Sequence, residues 1–144
     1  MSRYRSQVRE VINRNTVISL MLEQGFNAFL PVYDGGIDFI LHRESDNVTR
    51  KVQLKSRWTI DRKYLDRAIW IAFPHGDDWY LMPHDTMVAQ AEAEGVTKTA
   101  SWIEGGAYSK PKPALKTVGS WAEWRLEEIA RVADIAAHEL QTGK

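Results

Sequence analysis

The chain has 144 residues, 44% hydrophobic and 26% charged, with no cysteine and a formal net charge of zero. That size favours one domain (1–144) on a single modest core, and the missing cysteines exclude a disulfide framework and thiolate metal ligation. No apolar run approaches the roughly 18 residues of a membrane span, and Met1-Ser2-Arg3-Tyr4-Arg5 lacks the apolar stretch of a secretory signal, so a cytoplasmic protein is expected.

The first element is a helix over Val8–Leu22. Val8, Val11, Ile12, Ile18 and Leu22 recur at helical spacing, Val17, Leu20 and Met21 widen the apolar face, and Gly25 ends the helix. Phe26 to Tyr33 reads as extended, with Pro31 marking an edge or bend. Asp34-Gly35-Gly36 is a turn signal, so a hairpin into a strand over Ile37–Leu41 follows. There Ile37, Phe39 and Leu41 share one face while Asp38 and Ile40 share the other. After the polar turn Glu44-Ser45-Asp46-Asn47, the strand Val48–Lys55 alternates, with Thr49, Lys51, Gln53 and Lys55 on one side.

Ala68–Phe73 and Trp79–Met82 form a second hairpin around Pro74-His75-Gly76-Asp77-Asp78. Asp85 is expected to cap a helix that reaches about Glu94 and stops at Gly95. Thr97 to Pro113 is rich in Gly, Pro and Lys, with one short strand near Ala107-Tyr108. Ser120-Trp121-Ala122-Glu123 matches a capping box and opens a long helix to about Leu140, with Trp121, Trp124, Ile129, Val132 and Ala136 inward. The order implies an α/β or α+β domain: a central mixed sheet flanked by helices, its core over about 5–95 and a C-terminal extension over 96–144.

The charge is unevenly spread. Residues 1–67 carry 12 Lys/Arg against 8 Asp/Glu, and residues 68–144 carry 7 against 11. The basic excess peaks where Arg50, Lys51, Lys55, Arg57, Arg62, Lys63 and Arg67 face only Asp61 and Asp66, which suits a polyanion or else is a solvated charged surface.

Asp38, Gln53 and Lys55 stand out as polar residues in otherwise apolar strands, where burial is costly without a partner or a role. The helix, then Gly36-Ile37-Asp38-Phe39-Ile40, then the hairpin into Val52-Gln53-Leu54-Lys55-Ser56, resembles the PD-(D/E)XK nuclease superfamily. The Gln-x-Lys form is similar to a branch that includes group I intron homing endonucleases and related small bacterial proteins. The resemblance spans about residues 5–90 and implies a restriction-endonuclease-like core and metal-assisted hydrolysis of a DNA phosphodiester.

By that resemblance Asp38, the Gln53 side-chain oxygen and the Leu54 carbonyl would hold Mg²⁺ (Mn²⁺ as a substitute), with no organic cofactor. Lys55 would orient the attacking water or offset developing charge. Most of the superfamily has an acid where Gln53 stands; a neutral amide oxygen implies weaker metal binding, and the alternative is a catalytically inactive nucleic-acid-binding module on the same fold. Members also carry an acid on the first helix. Glu10 and Glu23, 13 residues and roughly 140° apart around a helix, cannot both face the site, and Glu10 is preferred. Arg50, Lys51, Arg57, Arg62 and Lys63 are expected on phosphates and Trp58 on DNA, with a homodimer or homotetramer supplying two sites for duplex cleavage.

Other residues read more blandly. Asp34 could be a second ligand but reads first as part of its turn, and the four histidines show no metal-ligand spacing, although His42 extends the Asp38/Ile40 face. Trp70 and Trp79 are expected in the core.

Overall fold

A computed structural model describes residues 3–126. Helix α1 (Arg3–Glu23) buries Val17 and Met21, one turn apart, against the sheet. Gly25, at φ 87°, reverses the chain so that the Phe26 N–H closes on the Met21 carbonyl at 3.1 Å, satisfying a helix-end acceptor. Most of the expected apolar stripe is not buried: Val8, Val11, Ile12 and Leu22 are exposed. Only the second half of α1 reaches the sheet, and there the inward direction is set by Val17 and Met21.

Strand β1 (Asn27–Phe29) is shorter than the aromatic run that suggested it, ending before Pro31, which has no N–H for a ladder. It pairs antiparallel with β2 (Phe39–Arg43), Phe29 opposite Ile40. β3 (Val48–Leu54) pairs antiparallel with β2, Phe39 opposite Val52, and parallel with β5 (Ile69–His75), Gln53 opposite Ile71. β5 turns at Gly76 (φ 61°) into β6 (Asp78–Pro83). The result is one mixed five-stranded sheet in the order β1-β2-β3-β5-β6, and an α+β domain. Between β3 and β5 the chain forms β4 (Trp58–Asp61), which pairs antiparallel with β7 (Ala107–Lys110).

Period-two alternation sends the two faces of the sheet into two cores. Phe39, Leu41, Val52 and Ala72 face α1. Ile69, Ile71 and Phe73 face Trp58, Ile60 and Tyr64, together with α2 (His84–Ala93) through Met87 and Ala91. Each fully buried Phe, Leu or Val contributes about 2 kcal/mol. Pro83, without a side-chain cap, precedes α2, and Asp85 lies in the first turn rather than at the cap.

Residues 96–126 are more than an appendage. Val96, Trp102 and Trp121 enter one core, Leu126 enters the other, and α3 (Ala100–Gly105) occupies the stretch expected to be mostly loop. The capping box at Ser120 does not start a helix. Ser120 ends α4 (Leu115–Gly119), Ala122–Trp124 is a single 3-10 turn, and Arg125 is extended and bridged to Tyr80. Trp121, buried edge-on against Phe73 and Tyr80, pins the backbone there and overrides the local signal. The rest of the expected helix, with Ile129, Val132 and Ala136, lies outside the described residues. Among the described residues no helix is long and apolar enough to cross a membrane.

Candidate functional site

Asp38 lies in the bend just before β2, and its N–H donates to the Val52 carbonyl of β3 at 2.8 Å. Gln53 shares its sheet face with Ile71 and Lys55, away from α1. Asp38 is fixed a second time, because its Oδ2 accepts the Leu54 N–H at 2.7 Å. Its Oδ1 makes no hydrogen bond within the described residues.

Burial raises the pKa of Asp38, and Asp34 and Glu10 raise it further; the Leu54 N–H and Lys55 pull the other way. Two carboxylates from other segments, Asp34 and Glu10, thus add to the burial that opposes the charge of Asp38. Glu10, the preferred acid of α1, is among them, whereas Glu23 is not among the charges acting on Asp38. Asp34 serves its turn as well, since its Oδ1 accepts the Gly36 N–H at 2.9 Å. Asp34 therefore does both things weighed from the sequence: it closes its turn and lies near Asp38.

Gln53 supplies the other half of the site. Its Oε1 is buried and has no hydrogen-bond partner among the described residues. Such an acceptor costs about 1–3 kcal/mol when left unmet. Lys55 extends over the Tyr64 ring, with Nζ 5.3 Å from its centroid, and Lys63 sits over the same ring at 5.2 Å. Tyr64 is almost wholly buried, and burial raises the pKa of its phenol. Beneath it lies His84, edge-on at 5.5 Å, whose Nε2 accepts the Asp61 N–H at 3.0 Å. His84 is therefore neutral, with its proton on Nδ1.

Arg67, read along the chain only as part of the basic excess, completes the frame. Its guanidinium donates to the Gly35 carbonyl at 2.9 Å, and its own carbonyl accepts from Lys51 Nζ. Asp66 and Ala68 on either side hold left-handed φ angles of 59° and 54°. For Ala68 that costs roughly 1–2 kcal/mol.

The expected DNA contacts divide. Arg57, Arg62 and Lys63 are exposed, although Arg62 also donates to the Ile103 carbonyl at 2.6 Å. The structure withdraws Arg50 from the expected contacts and removes base stacking as the mode of contact for Trp58. Arg50 points to the α1 side, sandwiched between Phe26 at 5.1 Å and Trp70 at 4.3 Å, because alternation puts it with Val52. Trp58 is 2% exposed, its ring covered by Lys110 and Tyr108, so it has no free face on which to stack a base. His42 is taken up by its own hairpin, bonded to Asn47 at 2.8 Å. Among the described residues no three of His, Cys, Asp or Glu gather closely enough to hold a metal by themselves. Compared with protein-family models, curated proteins and solved structures, the chain shows no significant match.

Proposed function

We propose that the chain is a small Mg²⁺-dependent DNA endonuclease of the PD-(D/E)XK kind, on a restriction-endonuclease-like core, acting in the cytoplasm. One observation carries the reading: an unpartnered buried amide oxygen, Gln53 Oε1, on the residue before the Leu54 N–H that holds a carboxylate whose surroundings oppose its charge. A hard divalent cation answers both, since it accepts a neutral oxygen and offsets the burial and the neighbouring Asp34 and Glu10 charges that oppose ionised Asp38. Asp38, Gln53 and the Leu54 carbonyl would hold it, with Glu10 adding charge. When bound, such an ion offsets charge on the phosphate oxygens and lowers the pKa of a bound water.

The chain's own groups supply the rest. Lys55, steadied over the Tyr64 ring and close enough to act electrostatically on Asp38, would donate to oxygens brought to that site. Tyr64, kept protonated by burial, adds no negative charge. Arg57, Arg62 and Lys63 bind backbone phosphates without reading sequence. Duplex cleavage needs two such sites, so the active species is a homodimer or homotetramer.

A second reading is favoured by one feature. Gln53 is neutral and no three acidic or histidine ligands gather, which suits a nucleic-acid-binding module without catalysis. Supercoiled plasmid with Mg²⁺ or Mn²⁺ separates the two. The first reading expects nicking by wild type and none by Asp38→Ala or Lys55→Ala, both still binding DNA in a salt-sensitive way. Binding by wild type without cleavage selects the second, and no retardation at low salt sinks both.

A further inference from the structure

We propose that the cleft at the carboxyl ends of β3 and β5 is a subsite for a phosphate group of a nucleotide chain, with the Trp58 indole N–H as one of its donors. The cleft has a volume of about 270 Å³ and lies where the two parallel strands end, the position at which α/β sheets commonly take ligands. Arg57, Lys110, His75 and Trp58 line it, Pro111 and Pro113 form part of its wall, and no carboxylate belongs to it.

The donors make it selective. Trp58 is 2% exposed, yet its Nε1 has no hydrogen-bond partner among the described residues. Strand pairing holds it there, with Trp58 opposite Lys110 across β4 and β7, so the N–H is not free to turn toward solvent. A buried donor left unmet is costly, and an incoming oxygen removes that cost. Lys110 is already matched by Glu94 at 2.6 Å, which leaves the exposed Arg57 as the cleft's uncompensated charge. A cation meets Arg57, and an apolar group leaves the indole N–H unmet. An anion made only of acceptors satisfies both.

The choice of a nucleotide phosphate over another anion rests on the nuclease reading. Ser56, which lines the cleft, directly follows Lys55, so the cleft adjoins the segment that carries the site's lysine. A phosphate here would fix the register of the strand beside the site.

The test uses ¹⁵N-labelled full-length protein in EDTA and follows the Trp58 indole resonance, identified by its loss in Trp58→Phe or by backbone assignment should that variant not fold. Two probes are titrated, inorganic phosphate and a 5′-phosphorylated trinucleotide. The expected result is a saturable shift of the Trp58 resonance with the trinucleotide, at lower concentration than with phosphate, and at least fivefold weaker binding in Arg57→Ala. A resonance that neither probe moves overturns the cleft. A shift with phosphate alone overturns the nucleotide chain as its occupant. Because no metal is present, a persisting shift in a protein that never cuts plasmid removes the nuclease reading and keeps the phosphate site. Cleavage without any shift removes only the cleft.

Discussion

Replacing Gln53 by Met separates the stability of the site from its use. Met keeps the length of the side chain but has no amide, so the unpartnered Oε1 disappears. Gln53 as a whole is only half buried, which places the relief near the lower end of the usual 1–3 kcal/mol, at about 1 kcal/mol. For a domain of this size that raises Tm by roughly 3–4 °C. Mg²⁺ at ten times its Kd adds about 1.4 kcal/mol to wild type by mass action, roughly another 4–6 °C. Gln53→Met is expected to melt higher than wild type in EDTA and to gain little from Mg²⁺, so the order reverses as metal is added. Differential scanning fluorimetry across a Mg²⁺ series reads both. A variant that melts lower than wild type in EDTA, or that keeps the full Mg²⁺ shift, refutes the argument that this oxygen is a stored cost and a ligand.

Gln53→Glu tests the same locus with the opposite sign: a further carboxylate beside Asp38 lowers Tm in EDTA and enlarges the Mg²⁺ shift, both visible in the same melts. Arg50→Ala removes the cation between Phe26 and Trp70 and is expected to cost about 1–2 kcal/mol by urea denaturation, with unchanged DNA affinity by gel retardation. Burial lowers the pKa of His84 from its ordinary 6.5, with Asp85 opposing. The unfolded chain therefore takes the proton first: stability is complete above about pH 6.5 and declines as pH falls toward the lowered native value. Urea midpoints at pH 7.5 and 5.5 should differ less in His84→Gln than in wild type; an equal difference in both removes His84 as the cause.

Much of the site was readable along the chain because alternation is a property of neighbouring residues. The pattern of Val48–Leu54 places Gln53 and Lys55 on one face of β3, and the β2–β3 pairing, local through hairpin closure, brings Asp38 against the Leu54 N–H at its end. The same alternation already set Arg50 with Val52, on the side away from Gln53. The helix stripe was legible as amphipathic, but its periodicity cannot say how far along α1 the sheet extends, so Val8, Val11 and Ile12 were expected inside and lie outside.

The remainder was decided by contacts between distant segments. Trp58 next to Arg57 has the local features of a DNA contact, and only the pairing of β4 with β7, some fifty residues later, covers its ring while leaving its N–H unmet. The backbone around Trp121 follows its seat against Phe73 and Tyr80 rather than its capping box. Glu10 lies on α1, far along the chain from Asp34 and Asp38, and no spacing announces that its charge acts on Asp38. Local periodicity chose which residues could face the site. The non-local packing of α1 and the 34–38 loop against the sheet decided which charges oppose Asp38, since burial and Coulomb repulsion depend on distance through space rather than along the chain.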